Sequence, residues 1–165
     1  MRPTTLGSTG LEVSALGLGT VELGMPYGLG KASPPDDDVC IRLLHHAVDR
    51  GISFIDTAAA YGRSEELIGR AFAGRACPVI ATKVALRDAD GTVWTGDRIP
   101  SQVRASIDRS RRLLGVDCLD LVQIHNADES VTSDPVLTET MEAHLQAGDV
   151  GNWGASTYGR EAPQA

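Results

Sequence analysis

Residues 54–62 read FIDTAAAYG: a carboxylate, Asp56, ends a short apolar run, and a phenol, Tyr61, follows five positions later with only small residues between. Further on, PVIATKV carries Lys83 and LDLVQIH carries His125 at the ends of two more apolar runs. A carboxylate, a phenol, an amine and an imidazole are side chains that can move protons and bind a polar reacting group, provided that the fold gathers them. Taken singly, each also has a structural reading. Acids often end strands, a tyrosine can fill a loop, a strand-end lysine is commonly a surface charge, and a histidine can be satisfied within the fold.

The elements that would gather them follow from pattern and punctuation. TTLGSTGLEVSAL reads as a β-hairpin turning at Ser8 to Gly10, and LGLGT at 16–20 as a first short strand. PPDDDVCIRLLHHAVDRG has prolines, an acidic first turn, apolar residues at 39, 43, 44, 47 and 48, and Gly51 as a stop, which spells an amphipathic helix. Strand GISFID and helix SEELIGRAF come next; the serine can cap that helix, and two glutamates occupy its first turn. The pattern continues with a strand at 78–84, the polar loop ALRDADGTVWTGDRIP, a helix at 101–114 closed by Gly115, a strand at 119–125, a helix at 134–147 and a strand at 150–157. Strand–helix alternation of this kind implies a parallel sheet with right-handed crossovers, and the carboxyl ends of such strands are where sites are built. Side chains alternate faces along a strand, so Phe54 and Asp56 share one face, as do Val79, Ala81 and Lys83, and Leu121, Gln123 and His125. If the apolar members face inward, Asp56, Lys83 and His125 are the last inward residues of three consecutive strands and meet at one rim.

Composition bounds the class. The chain has 165 residues and a net charge of −7 and is expected to form one acidic domain over 1–165. No basic stripe suggests nucleic acid, since RSRR at 109–112 reads as the solvated face of a helix. MRPTTLGSTG lacks the apolar core of a signal peptide and no apolar run approaches membrane-spanning length, so no membrane partner and a cytoplasmic location are expected. Cys40, Cys77 and Cys118 are odd in number and far apart and are expected to be buried thiols, not a disulfide framework or a zinc site. No metal is expected: Asp56 and His125 lack further carboxylate or histidine partners at neighbouring strand ends.

With these residues in hand, the chain resembles the aldo-keto reductases. The resemblance lies in LGSTGLEVSALGLGT, FIDTAAAYGRSEELIGRAF, IATKV, DLVQIHN and GASTYG, and it runs over nearly the whole chain. It implies a (β/α)8 barrel with an N-terminal hairpin, reversible hydride transfer between NADPH or NADH, NADPH being favoured, and a small carbonyl substrate (aldehyde, ketone or sugar), and a catalytic tetrad at Asp56, Tyr61, Lys83 and His125. Tyr61 would then be the general acid or base. A tyrosine hydroxyl with a reference pKa of about 10 is a poor acid at neutral pH; lowering it by two to three units takes roughly 3 to 4 kcal/mol, and one cation at about 4 Å in an effective dielectric near 20 supplies about 4. Lys83 would be that cation, Asp56 would keep it protonated against desolvation, and His125 would donate to the substrate oxygen. The resemblance places Gly19 and Thr20 on the nicotinamide ribose side and Ser156 and Thr157 at the carboxamide edge, and counts Asp56 among the cofactor contacts. Tyr27 and Trp94 would wall a substrate pocket. GLGT itself lacks the GxGxxG spacing of a dinucleotide fingerprint, and His45, His46 and His144 lie in helices with no functional role.

A barrel of this kind takes typically about 250 residues. The 165 residues reach only a fifth barrel strand, and the tail GREAPQA offers no substitute for the loops that hold the cofactor phosphates in the family. A truncated, partial barrel of about five strands is therefore expected, with Leu16, Leu18, Phe54, Val79 and Leu121 uncovered and self-association through the exposed sheet face. Two copies would give ten strands, not eight. The alternative to an active reductase is a catalytically silent half barrel, acting as an interaction module or arising from a broken reading frame.

Overall fold

The computed structural model describes residues 2–28, 33–88, 91–127 and 129–157. Strands β1 (Pro3–Thr5) and β2 (Glu12–Ser14) pair antiparallel with Thr4 opposite Val13. The chain reverses between them through Gly7 and Gly10, at φ of 54° and 74°, where a side chain would clash with the backbone. Ser14 and Ser53 exchange two hydrogen bonds, each backbone N–H donating to the other's Oγ at 2.8 and 2.9 Å, and so tie the hairpin to the segment that enters the next sheet.

That sheet has five parallel strands, β3 (Leu18–Gly19), β4 (Phe54–Asp56), β5 (Val79–Val84), β6 (Leu121–Ile124) and β7 (Trp153–Ala155), paired in chain order. Helices α1 (Val21–Gly24), α2 (Asp37–Asp49), α3 (Ser64–Phe72), α4 (Arg98–Leu114), α5 (Glu129–Thr132) and α6 (Pro135–Ala147) fall between the strands. Spatial order equal to chain order is the arrangement of a (β/α) barrel, whereas a doubly wound sheet reverses at a switch point. The core lies between sheet and helices: Ile55, Ile80, Val84, Val122 and Ile124 from the strands meet Leu44, Ile68, Val103, Ile107 and Met141 from the helices. Helices α4 and α6 are bounded by local chemistry. Gly115 and Gly148 close α4 and α6 at φ of 72° and 77°, and the Asp134 side chain caps α6 by accepting from the Val136 N–H at 2.9 Å.

Several expectations are corrected. Helix α4 begins at Arg98, three residues before the expected start, because Pro100 lies in its first turn, where a missing N–H breaks no intrahelical bond. On α2 the buried residues are Cys40 and Leu44, while Val39 and Leu43 are 42% and 43% exposed; the apolar arc is wider than the side that packs against α3 and the sheet. Cys40 is buried as expected, but Cys77 and Cys118 are exposed, since they lie in the segments that lead into β5 and β6. Leu18, level with Ile55, packs against the helix-side core instead of lying uncovered on the other face; Leu16 is 63% exposed, and Phe54 and Val79, on the face turned away from the helices, are half-buried. Leu121 is buried, flanked on the central strand pair by Ala81. The tail GREAPQA lies outside the described residues.

Candidate active site

Asp56 is the last residue of β4, level with Gly19 of β3 and Ala81 of β5. Lys83 lies two residues further along β5, level with Gln123, and His125 follows the end of β6, its N–H donating to the Val84 carbonyl at 2.8 Å. The three side chains thus stand on adjacent strands, stepped in the direction of the rim. Tyr61 reaches them from the loop between β4 and α3.

The contacts bring all four together. Lys83 is buried, and its Nζ donates to Asp56 Oδ1 at 2.5 Å and to the Thr57 carbonyl at 2.8 Å. The same nitrogen lies 5.0 Å from the centroid of the Tyr61 ring. The Tyr61 and His125 rings meet edge to face, with centroids 5.7 Å apart and an interplanar angle of 80°. Burial holds the His125 imidazole below its ordinary pKa, with the Lys83 and Arg87 cations acting in the same direction and the Asp56 carboxylate opposing them. His125 is therefore neutral at pH 7, with one N–H to donate.

The Tyr61 loop is fixed by close backbone packing. The Tyr61 N–H donates to the Ala58 carbonyl at 2.9 Å and its carbonyl accepts from the Ser64 N–H at 3.0 Å. Gly24, the last residue of α1, approaches so closely that a Cβ there would overlap the Tyr61 carbonyl and lie 2.6 Å from the Ser64 nitrogen. Gly24 and Gly62, the latter at φ 55°, are two positioning residues that the sequence reading missed. The signal was the YG pair, where a positive φ is needed directly after the tyrosine.

The cofactor candidates divide. Gly19 is exposed beside Asp56, and a Cβ added to it would meet nothing within 4 Å; Gly154, level with Gln123 on β7, is equally open. Gly19 and Gly154 lie on the two outermost strands of the sheet. Thr20 is placed differently: it is fully buried, and its hydroxyl is engaged with Ser64 and with the Asp56 carbonyl. Ser156, half-buried at the end of β7, accepts from the Asn126 N–H on its Oγ at 3.2 Å, and Thr157 follows it, half-buried. Asn126 takes a φ of 54°, turning the chain directly after His125. Tyr27 is 51% exposed, whereas Trp94 packs against the core with its Nε1 donating to Asp88 Oδ1 at 2.9 Å. His45 and His144 are held by the Ala71 carbonyl and by Asp149. Among the described residues no group of three or more His, Cys, Asp and Glu side chains comes together as a metal site, and no helix is long and apolar enough to cross a membrane.

Ser64 also departs from its expected role. The N-cap of α3 is Arg63, which makes no side-chain capping bond, and Ser64 Oγ is buried within the interior. Of the two first-turn glutamates, Glu66 pairs with Arg63, but Glu65 turns inward to accept from Thr82 Oγ1 at 2.6 Å.

The aldo/keto reductase family model matches residues 15–164. A Pseudomonas aeruginosa protein described as an aldo-keto reductase is 37% identical, with a TM-score of 0.78 over 94% of this chain and 60% of its own. The holo form of a Bacillus halodurans aldo-keto reductase is 29% identical, with a TM-score of 0.75 over 95% of this chain and 50% of its own. The Gluconobacter oxydans glycerol dehydrogenase is 30% identical, with a TM-score of 0.70 over 97% of this chain and 49% of its own. The chain thus spans half to three-fifths of the length of these structures.

Proposed function

The chain belongs to the aldo/keto reductase family, and from that premise we propose that it serves as an NAD(P)(H)-dependent oxidoreductase for a small carbonyl substrate (aldehyde, ketone or sugar), with Tyr61 as general acid and base. The observation that carries this reading is the Lys83 ammonium, held between Asp56 Oδ1 and the Thr57 carbonyl and set over the Tyr61 ring. A bound nicotinamide would supply or accept the hydride. Gly19, Ser156 and Thr157 would receive it, with Asp56 on the ribose side and Thr20 supporting them from within.

The work of the protein's own groups is proton placement. Reduction leaves negative charge on the carbonyl oxygen, and the Tyr61 hydroxyl is the donor that neutralises it. The Lys83 cation favours the tyrosinate that results, and the Asp56 carboxylate pairs with that cation where it is buried. Neutral His125 has an N–H with which to orient the substrate oxygen. In the reverse direction the same groups act in reverse order. NADPH is the proposed preferred cofactor and the cytoplasm the proposed location.

Mixing the chain with NADPH tests this. A change in cofactor fluorescence and carbonyl-dependent loss of absorbance are expected, and Tyr61→Phe should lower the reduction rate at least ~10²-fold with cofactor affinity little changed. Equal rates for the two proteins would remove Tyr61 from the role of acid. A second reading, an interaction module without turnover, is favoured by the outer edges of β3 and β7, unpaired among the described residues, and by exposed Leu16, Val39 and Leu43; a fold without any fluorescence response to NADPH would support it.

A further inference from the structure

Three hydroxyls lie fully buried behind the candidate site: Thr20 at the end of β3, Thr57 directly after β4, and Ser64 at the start of α3. Thr57 Oγ1 and Ser64 Oγ are 2.9 Å apart, Ser64 Oγ and Thr20 Oγ1 are 2.7 Å apart, and Thr20 Oγ1 lies 2.9 Å from the Asp56 carbonyl oxygen. The direction of every proton follows from the last contact. A carbonyl can only accept, so the Thr20 hydroxyl donates to it; Ser64 must then donate to Thr20, and Thr57 must donate to Ser64. The chain of donors runs one way, from residue 57 through α3 and β3 back to residue 56, and bonds aligned in this manner strengthen one another.

Residues 56 and 57 are the two that receive Lys83: the Asp56 carboxylate and the Thr57 carbonyl accept from its Nζ. One end of the hydroxyl chain is the Thr57 side chain and the other is the Asp56 carbonyl, where the Thr20 N–H also donates at 3.1 Å. We propose that Thr57, Ser64 and Thr20 are positioning residues whose closed hydroxyl chain fixes the pair of acceptors that hold the Lys83 ammonium against Tyr61. None of the three touches the reacting atoms. They act through Lys83, and the inference rests on the reading of Lys83 as the cation that serves Tyr61. It also explains why a threonine at the end of β3 and a serine at a helix start are buried when their hydroxyls would ordinarily be solvated.

The chain has two lysines, Lys31 and Lys83, so ¹⁵N-lysine labelling gives two side-chain signals, which Lys31→Arg assigns. In the wild type, the Lys83 ammonium protons should exchange with water at least ~10-fold more slowly than those of free lysine in the same buffer, because two fixed acceptors hold them. Thr57→Val keeps the side-chain shape and removes the first donor; it should speed that exchange at least ~5-fold, and Thr57→Ser should restore the wild-type rate within ~2-fold. In the NADPH-dependent reduction, Thr57→Val should also move the midpoint of the pH–rate profile upward, since a less fixed cation stabilises the tyrosinate less. A wild-type Lys83 that exchanges as fast as free lysine overturns the proposal without any variant, as does a folded Thr57→Val with unchanged exchange. If Tyr61→Phe leaves the rate intact while exchange responds as expected, the assignment of Tyr61 as acid fails and the hydroxyl chain stands.

Discussion

At the level of single residues, the environment of His125 makes a claim about pH that does not depend on turnover. Its pKa is lowered in the fold, mainly by burial and then by Lys83 and Arg87, against the opposing pull of Asp56. In the unfolded chain an imidazole titrates near 6.5. The unfolded state therefore takes up the proton first as pH falls, and protons bound preferentially by the unfolded state subtract stability. His125 contributes nothing above about pH 7.5, where both states are neutral. Its contribution becomes unfavourable as pH drops through about 6.5 and levels off below the folded-state pKa. Urea unfolding midpoints should fall between pH 6.5 and 5.5, and His125→Gln should lessen that fall. The lowered carboxylates Asp37 and Glu66 titrate further into acid and so do not blur the window. A His125→Gln protein with the same decline would show that the imidazole is freely protonated in the fold.

At the level of elements, α1 has four residues and no capping side chain, too short to be stable by itself. It is nevertheless pressed against the Tyr61 loop, with Gly24 in backbone contact with Tyr61 and Ser64. No flexible side chain can give way there, so Gly24→Ala must shift α1 or the loop, at a cost of about 1–3 kcal/mol. The reduction rate should fall further than the loss of folded protein explains, because the displaced segment carries the phenol. Gly19→Ala is the control: its new Cβ meets nothing within 4 Å, so denaturation should be unchanged. A Gly24→Ala protein with wild-type stability and rate would separate α1 from the site. The contrast also shows what pattern reading reaches. Strand ends are legible because β-branched runs stop at polar residues, which sets Asp56, Lys83 and His125 at the ends of three consecutive strands in the sequence itself. Single-turn helices such as α1 and α5 carry too few residues for a period to register. The Arg87–Val93 bridge inside the polar loop, and the inward turn of Glu65 and Ser64, depend on tertiary partners that local propensity does not contain.

At the level of the whole molecule, the helices cover one face of a five-strand parallel sheet, and such sheets are stable when both faces are covered. The other face presents half-buried Phe54 and Val79, Leu16 is 63% exposed, and the outer edges of β3 and β7 carry no further strand among the described residues. Exposed apolar surface and unpaired edges of this kind promote association. An eight-stranded barrel closes by pairing its last strand with its first, and the matched structures are longer than this chain, which spans 60% and 50% of two of them. The 165-residue chain alone should therefore self-associate on a sizing column or bind an apolar dye. It should also hold NADPH at least ~10²-fold more weakly than a version extended by the last three strand–helix units of a homologous reductase. That factor is about 2.7 kcal/mol, the scale of one or two charge-assisted hydrogen bonds to cofactor phosphates. The cofactor groups proposed at Gly19, Ser156 and Thr157 address only its nicotinamide end, so the missing affinity belongs to the phosphate end and should appear as a steeper salt dependence in the extended protein. A monodisperse, dye-negative monomer of 165 residues with micromolar NADPH affinity would mean that five strands close their own inner face and bind the cofactor without the rest of a barrel.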